Sequence, residues 1–277
     1  MSVLQSVRAL GRWGWAALTI LLAYAILAAS SELGVQVAGQ GLDPVWAAAQ
    51  SRGALRIAVD YGFRPFTDIQ QDEPLGYDID LAQAVAAKLG LRAEFVPSGL
   101  DSIYDDLSSG KADLAASALP YAPEQGWRVQ FSEFYFNAGQ VLVTRASSLI
   151  VTEDDLAQVR VGVALGSDAD TFARSLAQRQ QLILDVSFDT PAQALLALKD
   201  GRVDAVITDN LAALIAIRQH PQLHLVKALT FDPYALAVPV RAFQLHSEVN
   251  RALEELRREG FFERNAEKWF REEELMR

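Results

Sequence analysis

Polar and aromatic side chains collect at four places where a predicted apolar strand ends. In open parallel α/β sheets, ligands bind beyond the carboxyl ends of the strands. The four stretches are "DYGFRPF" (60–66), "ALPYAPEQGWR" (118–128), "LGSDAD" (165–170) and "TDN" (208–210). Carboxylates in these stretches attract positive charge, and aromatic rings add cation–π contacts. The pattern therefore predicts a site that binds a small cation or zwitterion rather than an anion.

The residue types available at these strand ends favour binding over catalysis. The chain has no cysteine, and its three histidines, His220, His224 and His246, fall outside the four stretches. A disulfide, a thiolate metal site and a cysteine nucleophile are therefore excluded. The sequence also shows no set of nucleophile, base and orienting group. We expect no catalytic residue, no metal ion and no cofactor.

Strands alternate with helices along the chain, and this order predicts parallel sheets covered by helices on both faces. The strand "ALRIAVD" (54–60), for example, precedes the helix "YDIDLAQAVAAKLG" (77–90), whose apolar residues recur at helical spacing. Residues 247–270 form an amphipathic helical segment, which we expect to pack on the body rather than bind a partner.

Two sequence features occur twice in the same order. The strand "LRIAVDYG" (55–62) resembles "VRVGVALG" (159–166), with a basic residue at the start of an apolar run. The segment "SSGKADLAASAL" (108–119) resembles "LKDGRVDAVITD" (198–209), where Gly, a basic residue and Asp link a helix to a strand. The repetition predicts two lobes of similar α/β build.

The chain is expected to pass between these lobes twice, around "FYFNAGQVLVT" and "DPYALAVPV". Two crossings leave the first lobe discontinuous, with residues 48–138 and 234–277, while residues 139–233 form the second lobe. Such crossings create a hinge, and all four strand ends would open onto the cleft between the lobes.

An uncharged apolar segment, residues 13–31, lies near the start of the chain and is long enough to cross a bilayer. Two arginines precede it, which places residues 1–12 in the cytoplasm, and residues 32–47 form a linker. The segment is either a membrane anchor or a cleaved signal peptide, because small residues at its end allow cleavage. An ordinary core helix is the third alternative. With an anchor or a signal peptide, the rest of the chain lies outside the cytoplasmic membrane.

The order of the motifs along residues 48–271 is more specific than any one of them. The motifs are "LRIAVDYGFRPFTD", "GYDIDLAQAVAAKLG", "GKADLAASALP", "FSEFYFNAG", "VGVALGSDAD" and "GRVDAVITDN". Together they resemble the amino-acid type of bacterial extracytoplasmic solute-binding protein. The resemblance implies two Rossmann-like lobes on a two-strand hinge, the type II periplasmic-binding-protein fold. Such a protein closes on a small molecule and delivers it to an ABC permease; we expect a monomer.

The resemblance also implies ligand contacts in the first lobe. Asp60 matches a polar contact after the first strand, although it could equally cap a turn, and Phe63 and Leu100 match walls of the pocket. Ala118 and Pro120 match positions that offer backbone and hydroxyl contacts.

Three further positions in the second lobe match ligand contacts of the family. Ser167 and Asp168 match the amide-rich start of a helix, and Asp209 matches the carboxylate that receives a ligand ammonium. Alternatively, Asp168 and Asp209 have a structural role as helix N-caps. Tyr61 and Tyr121 are expected to add aromatic surface to the cleft.

The sequence departs from the family pattern at two positions. The arginine that holds a ligand carboxylate falls at Gln125, and a threonine hydroxyl falls at Pro120. Loss of a bidentate charged contact removes roughly 1.5–3 kcal/mol. Arg128 lies one helical turn further on and could replace the arginine. Alternatively, Arg128 is a surface residue that pairs with Glu124 or Glu133.

We therefore expect the ligand to be an amino acid or related amine-bearing solute, with basic or polyamine-like ligands ahead of acidic ones. The formal net charge of −10 disfavours nucleic acid as a partner. Two other functions are kept as alternatives. One is an extracytoplasmic sensor that signals through a separate partner, and the other is a lyase resembling cyclohexadienyl dehydratase, in which Glu124 would be the general acid.

Overall fold

The computed structural model describes residues 43–271, which form one unit from Pro44 onward. The predicted cytoplasmic N-terminus (1–12) and the predicted anchor or signal peptide (13–31) lie outside the described residues. None of the helices between residues 43 and 271 has both the length and the apolar character that a membrane span requires.

Helices and strands alternate along most of the described chain. The helices are α1 (Pro44–Arg52), α2 (Tyr77–Lys88), α3 (Ile103–Ser108), α4 (Asp168–Ala177), α5 (Pro191–Lys199), α6 (Asn210–Gln219), α7 (Phe243–Arg258) and α8 (Phe261–Trp269). The strands are β1 (Ala54–Val59), β2 (Asp68–Gln70), β3 (Glu73–Leu75), β4 (Arg92–Pro97), β5 (Leu114–Ala115), β6 (Val129–Asn137), β7 (Gln140–Arg145), β8 (Arg160–Ala164), β9 (Ile183–Phe188), β10 (Ala205–Asp209), β11 (Leu223–Ala228) and β12 (Pro233–Pro239). Helix α1 begins inside the predicted linker, at Pro44.

Two five-stranded sheets form the cores of two lobes. The strand order is β4-β1-β5-β12-β6 in the first lobe and β11-β7-β10-β8-β9 in the second. Each sheet contains three parallel strands with the earliest strand in the middle, β1 in the first lobe and β8 in the second. The prediction of two lobes of similar α/β build is confirmed.

The prediction of wholly parallel sheets is wrong, because each sheet also contains antiparallel pairs. Strand β12 runs antiparallel to β5 and β6, and β7 runs antiparallel to β10 and β11. Both β7 and β12 enter their sheets from the other lobe. They do not follow a helical crossover within one lobe, which is the connection that makes neighbouring strands parallel.

The two lobes are joined by two crossings of the chain. The chain leaves the first sheet after Asn137 and enters the second at Gln140. It returns between Ala228 and Pro233. These two short segments form a two-strand hinge.

Hydrogen bonds tie the two crossings to each other. The Asn137 side chain accepts from Gly139 N at 3.1 Å and from Asp232 N at 2.8 Å, and its Nδ2 donates to Thr230 O at 3.1 Å. Ala138 N donates to Asp232 O at 2.9 Å. The crossings therefore act as one paired unit rather than as two independent linkers.

Gly139 allows the crossings to approach closely. A Cβ atom at this position would lie 2.5 Å from Thr230 Oγ1 and 2.6 Å from Thr230 O. We expect Gly139→Ala to lower the free energy of unfolding by about 1–3 kcal/mol, because the crossings must move apart. Urea unfolding measures this effect, with Gly99→Ala as control, since a Cβ at Gly99 meets its nearest atom at 3.7 Å. Equal stability of the two variants would contradict the expectation.

The two repeated sequence features form the same ion pair in both lobes. In the first lobe Asp113 N donates to Arg56 O at 2.8 Å, and the Arg56 guanidinium lies 2.7 Å from the Asp113 carboxylate. In the second lobe Asp204 N donates to Arg160 O at 2.9 Å, and Arg160 Nε lies 3.7 Å from Asp204. The basic residue of one repeated feature thus pairs with the aspartate of the other.

The C-terminal helical segment is divided in two. Helix α7 ends at Arg258 and α8 begins at Phe261, because Gly260 adopts a left-handed conformation with φ of 68°. Apolar residues of both helices, such as Leu253 and Trp269, belong to the core of the first lobe. The prediction that this segment packs on the body is confirmed.

Candidate functional site

Two adjoining cavities open at the carboxyl ends of strands β8 and β10. The smaller, the lobe-2 cavity, has a volume of about 350 Å³ and is lined by Gln140, Ala164, Gly166, Ser167, Asp168, Ala169, Pro191, Thr208 and Asp209. The larger, the hinge cavity, has a volume of about 620 Å³ and is lined by Pro120, Tyr121, Phe134, Ala138, Gln140, Asp168, Asp209, Phe231, Asp232, Pro233 and Tyr234. Gln140, Asp168 and Asp209 line both cavities and mark where they meet.

Asp209 is the last residue of β10 and the N-cap of α6. Its Oδ1 accepts a hydrogen bond from Ala212 N at 2.8 Å, and its Oδ2 lies 3.5 Å from Thr208 Oγ1. A carboxylate has lone pairs for further donors on both oxygens. Asp209 therefore caps the helix and still presents negative charge to both cavities.

Ser167, and not Asp168, caps helix α4. Ser167 Oγ accepts from Asp170 N at 3.1 Å and donates to Ala164 O at 2.7 Å. The interpretation of Asp168 as an N-cap is therefore wrong, since Asp168 is the first residue within the helix. Its carboxylate is exposed and lines both cavities.

Asp60 organises the strand-end loop of the first lobe. Its Oδ2 accepts from Leu100 N at 3.1 Å, which joins the loop after β4 to the loop after β1. Its backbone N donates to Ser117 Oγ at 3.0 Å, and its carbonyl oxygen accepts from Thr67 Oγ1 at 2.7 Å. These bonds give Asp60 a structural role, the joining of two loops, which differs from the turn cap expected as an alternative.

Aromatic and apolar side chains surround this loop. Phe63 and Leu100 are each 50% exposed, whereas Phe66 is buried in the first-lobe core. The Phe63 and Phe66 rings stack with centroids 5.7 Å apart. Tyr61 packs partly against the same core, and burial raises the pKa of its hydroxyl. Phe63 and Leu100 are thus available as exposed apolar surface at the strand ends.

The bend after β5 is held by a buried carboxylate. Ala118 adopts a positive φ of 46°, and its N–H donates to the Asp78 carboxylate, as does the Tyr135 hydroxyl at 2.8 Å. Asp78 is fully buried, and its Oδ1 has no partner among the described residues. Burial raises the pKa of Asp78 to about 7, although the two hydrogen bonds oppose the shift.

The same bend is paired with the hinge. Pro120 forms a β-bridge with Tyr234, and Tyr121 N donates to Pro233 O at 2.9 Å. Strand β5 has only two residues, Leu114 and Ala115, and the bend that follows it pairs with the hinge through this bridge. Pro120 and Tyr121 are thereby placed at the wall of the hinge cavity.

Arg128 has a partner that the sequence did not indicate. It forms an ion pair with Asp105 on α3 and does not line either cavity. A turn does join Gln125 to Arg128, since Arg128 N donates to Gln125 O at 2.8 Å, but the Arg128 guanidinium pairs with Asp105. The expected pairing of Arg128 is therefore wrong, since its ion-pair partner is Asp105 and neither Glu124 nor Glu133.

The cavities bring together part of the predicted site. The predicted ligand-binding residues that line them are Pro120, Tyr121, Ser167, Asp168 and Asp209. The predicted residues that line neither cavity are Asp60, Tyr61, Phe63, Leu100, Ala118, Gln125 and Arg128. The predicted residues of the second lobe thus share a cavity with Pro120 and Tyr121 from the bend after β5. The loop of Asp60 and Phe63 in the first lobe lines neither cavity.

Several lining residues were missed from the sequence. Those of the hinge cavity are Phe134, Ala138, Gln140, Phe231, Asp232, Pro233 and Tyr234, and those of the lobe-2 cavity are Ala164, Gly166, Ala169, Pro191 and Thr208. Most of the hinge-cavity residues belong to the two stretches where a crossing was expected. The two predicted crossings could have indicated these residues, because backbone that joins two lobes must border the space between them.

The charged side chains that line the two cavities are carboxylates, those of Asp168, Asp209 and Asp232. Burial raises the pKa of the Tyr234 hydroxyl, and the carboxylates of Asp78, Asp209 and Asp232 raise it further. Asp209 and Asp232 thus place negative charge at the wall of the hinge cavity. This charge favours a positively charged ligand group.

An aromatic wall lines one side of the hinge cavity. The ring centroids of Tyr121 and Phe134 are 5.1 Å apart, and those of Phe134 and Phe231 are 5.5 Å apart, both edge to face. Aromatic faces beside carboxylates suit an organic cation, because ring quadrupoles attract positive charge.

Sequence comparison gives a family match over most of the chain. The profile of the bacterial extracellular solute-binding proteins, family 3, matches residues 55–272. The L-cystine-binding protein TcyJ of Escherichia coli (strain K12) is 29% identical over 227 residues, which cover 80% of this chain and 84% of that protein.

Two solved structures show a similar two-lobed fold. The L-cystine solute receptor of Neisseria gonorrhoeae, in its unliganded open conformation, is 26% identical with a TM-score of 0.69, over 82% of this chain and 96% of the receptor. An ancestral cyclohexadienyl dehydratase is 27% identical with a TM-score of 0.69, over 81% of this chain and 95% of that one.

Proposed function

Because the chain belongs to the bacterial extracellular solute-binding proteins of family 3, we propose that it binds an amino acid or a related amine-bearing solute and delivers it to an ABC permease. The observation that supports this ligand class is the charge of the site. The charged side chains lining the two cavities are carboxylates, and Asp209 lies where the cavities meet.

In this proposal the ligand ammonium binds at Asp209. The carboxylate is held by its own helix cap, so its position is set before the ligand arrives. A ligand carboxylate would lie at the start of α4, a ten-residue helix whose first-turn amides and dipole favour negative charge. The lobes then close by rotation about the paired crossings.

The absence of an arginine at position 125 shifts recognition towards the amine. Arg128 is engaged with Asp105, so it does not replace the missing guanidinium in this structure. A ligand carboxylate is therefore held less strongly than its ammonium. We expect basic or polyamine-like ligands to bind more tightly than acidic amino acids.

A thermal-shift panel tests this function. L-arginine, L-lysine, L-cystine and putrescine are compared with L-glutamate and L-aspartate. A binding ligand at about 100 times its Kd should raise the melting temperature by roughly 5–10 °C. We expect a shift with at least one basic or neutral ligand and a smaller one with either acidic ligand. A preference for glutamate or aspartate, or no shift with any ligand, would overturn the proposal.

A lyase activity is the second candidate, because an ancestral cyclohexadienyl dehydratase shares the fold. Its expected general acid, Glu124, is exposed on the 3₁₀ helix and lines neither cavity. Instead, the Glu124 carboxylate lies near Tyr104, where burial and then this charge raise the pKa of the tyrosine. We therefore favour binding without catalysis. Turnover of prephenate or arogenate by the purified protein would reverse that preference.

The family's extracellular location supports export of the chain, with residues 13–31 as membrane anchor or signal peptide. Cell fractionation followed by N-terminal sequencing separates these two cases. An anchored protein stays in the membrane fraction with its original N-terminus, and a secreted one begins after the apolar segment.

A further inference from the structure

Gln140 lies where the two cavities meet. It is the first residue of β7, directly after the crossing, and it is only 8% exposed. It lines both cavities together with Asp168 and Asp209. Gln140 and Asp209 are paired across the antiparallel strands β7 and β10, which places their side chains on the same face of the sheet.

The side chain of Gln140 has no hydrogen-bond partner among the described residues. Its Oε1 is buried and unpaired, and its Nε2 also makes no bond to the described part of the protein. The buried oxygen of Gln140 is a polar atom without a partner, which opposes folding.

This lack of a partner is confined to the side chain. The backbone N of Gln140 donates to Thr230 Oγ1 at 2.8 Å, and its carbonyl oxygen accepts from Leu229 N at 2.8 Å and Thr230 N at 3.2 Å. The backbone is therefore fixed by the returning crossing. By contrast, the side chain of Gln130 in the first lobe donates to Val240 O at 2.8 Å.

The residues around Gln140 favour a ligand group that donates hydrogen bonds. Its neighbours at the junction, Asp168 and Asp209, are both acceptors. An ammonium group has three donors and no acceptor, so one carboxylate cannot use all of them. An amide oxygen beside Asp209 supplies a second acceptor for such a group.

We propose that Gln140 is a ligand-contacting residue whose carboxamide oxygen accepts a hydrogen bond from the ligand ammonium beside Asp209. This inference rests on the proposed binding of an amine-bearing solute. In the ligand-free protein the amide has no partner, and the ligand supplies the one that is missing. A site without an arginine at position 125 thus gains a second hydrogen bond to the amine.

Replacement of Gln140 with methionine separates binding from folding. Methionine has nearly the same length and shape but offers no strong acceptor. We expect Q140M to keep or raise the melting temperature of the unliganded protein, since it removes an unpaired buried polar group. Its affinity for the panel ligand that shifts the wild type most should fall about tenfold in calorimetric titration.

The matched control is Gln130→Met, which removes a hydrogen bond outside the cavities. Q130M should lower the unliganded melting temperature and leave the affinity unchanged. If Q140M instead lowers the unliganded melting temperature as Q130M does, Gln140 is structural and the inference is overturned. Unchanged affinity of Q140M also overturns it, while the proposed function stands. A wild-type protein that binds no ligand of the panel overturns both.

Discussion

Replacing Asp209 with asparagine should lower ligand affinity roughly 10- to 100-fold while leaving the unliganded fold intact. Asparagine caps helices as well as aspartate does, so the bond to Ala212 N is retained. The substitution therefore removes only the negative charge of residue 209. Isothermal titration of the wild type and D209N with L-arginine, together with the unliganded melting temperatures, measures the two effects separately.

The control for this experiment is Asp200→Asn in the same lobe. Asp200 is an exposed residue at the end of α5, 3.7 Å from Lys199 Nζ, and lines neither cavity. D200N removes the same charge from the lobe and should bind as the wild type does. If D209N and D200N bind with equal affinity, Asp209 does not receive the ligand ammonium, and long-range charge alone sets the preference for cations.

The second large effect concerns Asp78 and pH. The pKa of this carboxyl is about 7 in the folded protein, against an ordinary value of 3.8, chiefly because of burial. The folded state therefore binds the proton more tightly than the unfolded state. This stabilisation is fully present below about pH 4 and is lost as the pH rises through 7, at about 1.4 kcal/mol per pH unit, or roughly 4 kcal/mol in all.

Urea unfolding of the wild type and Asp78→Asn between pH 5 and pH 9 tests this expectation. An asparagine oxygen can accept from Ala118 N and the Tyr135 hydroxyl but does not titrate. The difference in unfolding free energy, wild type minus D78N, should fall between pH 5 and 7 and be constant above about pH 8. Burial raises the pKa of Tyr135 well above 10, so that hydroxyl does not titrate in this range. A difference that does not change with pH would show that Asp78 is ionised throughout.

Much of the fold was predictable because it follows from local patterns. Apolar strands, glycine helix ends and an aspartate before a strand are each set by residues close in sequence. The pairing of Arg56 with Asp113, and of Arg160 with Asp204, explains why these features recur together. The antiparallel direction of β7 and β12 was not predictable in this way, because it depends on how the chain crosses between lobes.

Prediction of the candidate site succeeded where ligand-facing positions coincide with strand ends. Asp168 and Asp209 follow β8 and end β10, and both line the cavities. The ion-pair partner of Arg128 was predicted wrongly, because this partner, Asp105, lies on a different element. Gln140 was missed because nothing in the sequence distinguishes a glutamine whose amide is unpaired from one that is hydrogen-bonded.

The sequence by itself determined the two similar lobes, the two crossings and the acidic, aromatic character of the strand ends. Those properties depend on residue type and on spacing along the chain. Only the tertiary structure decided which of these residues share a cavity, that Gln140 and Asp232 join them, and that Arg128 is engaged elsewhere. Side-chain partners are chosen by distance in space, and residues far apart in sequence become neighbours only when both lobes and their hinge are folded.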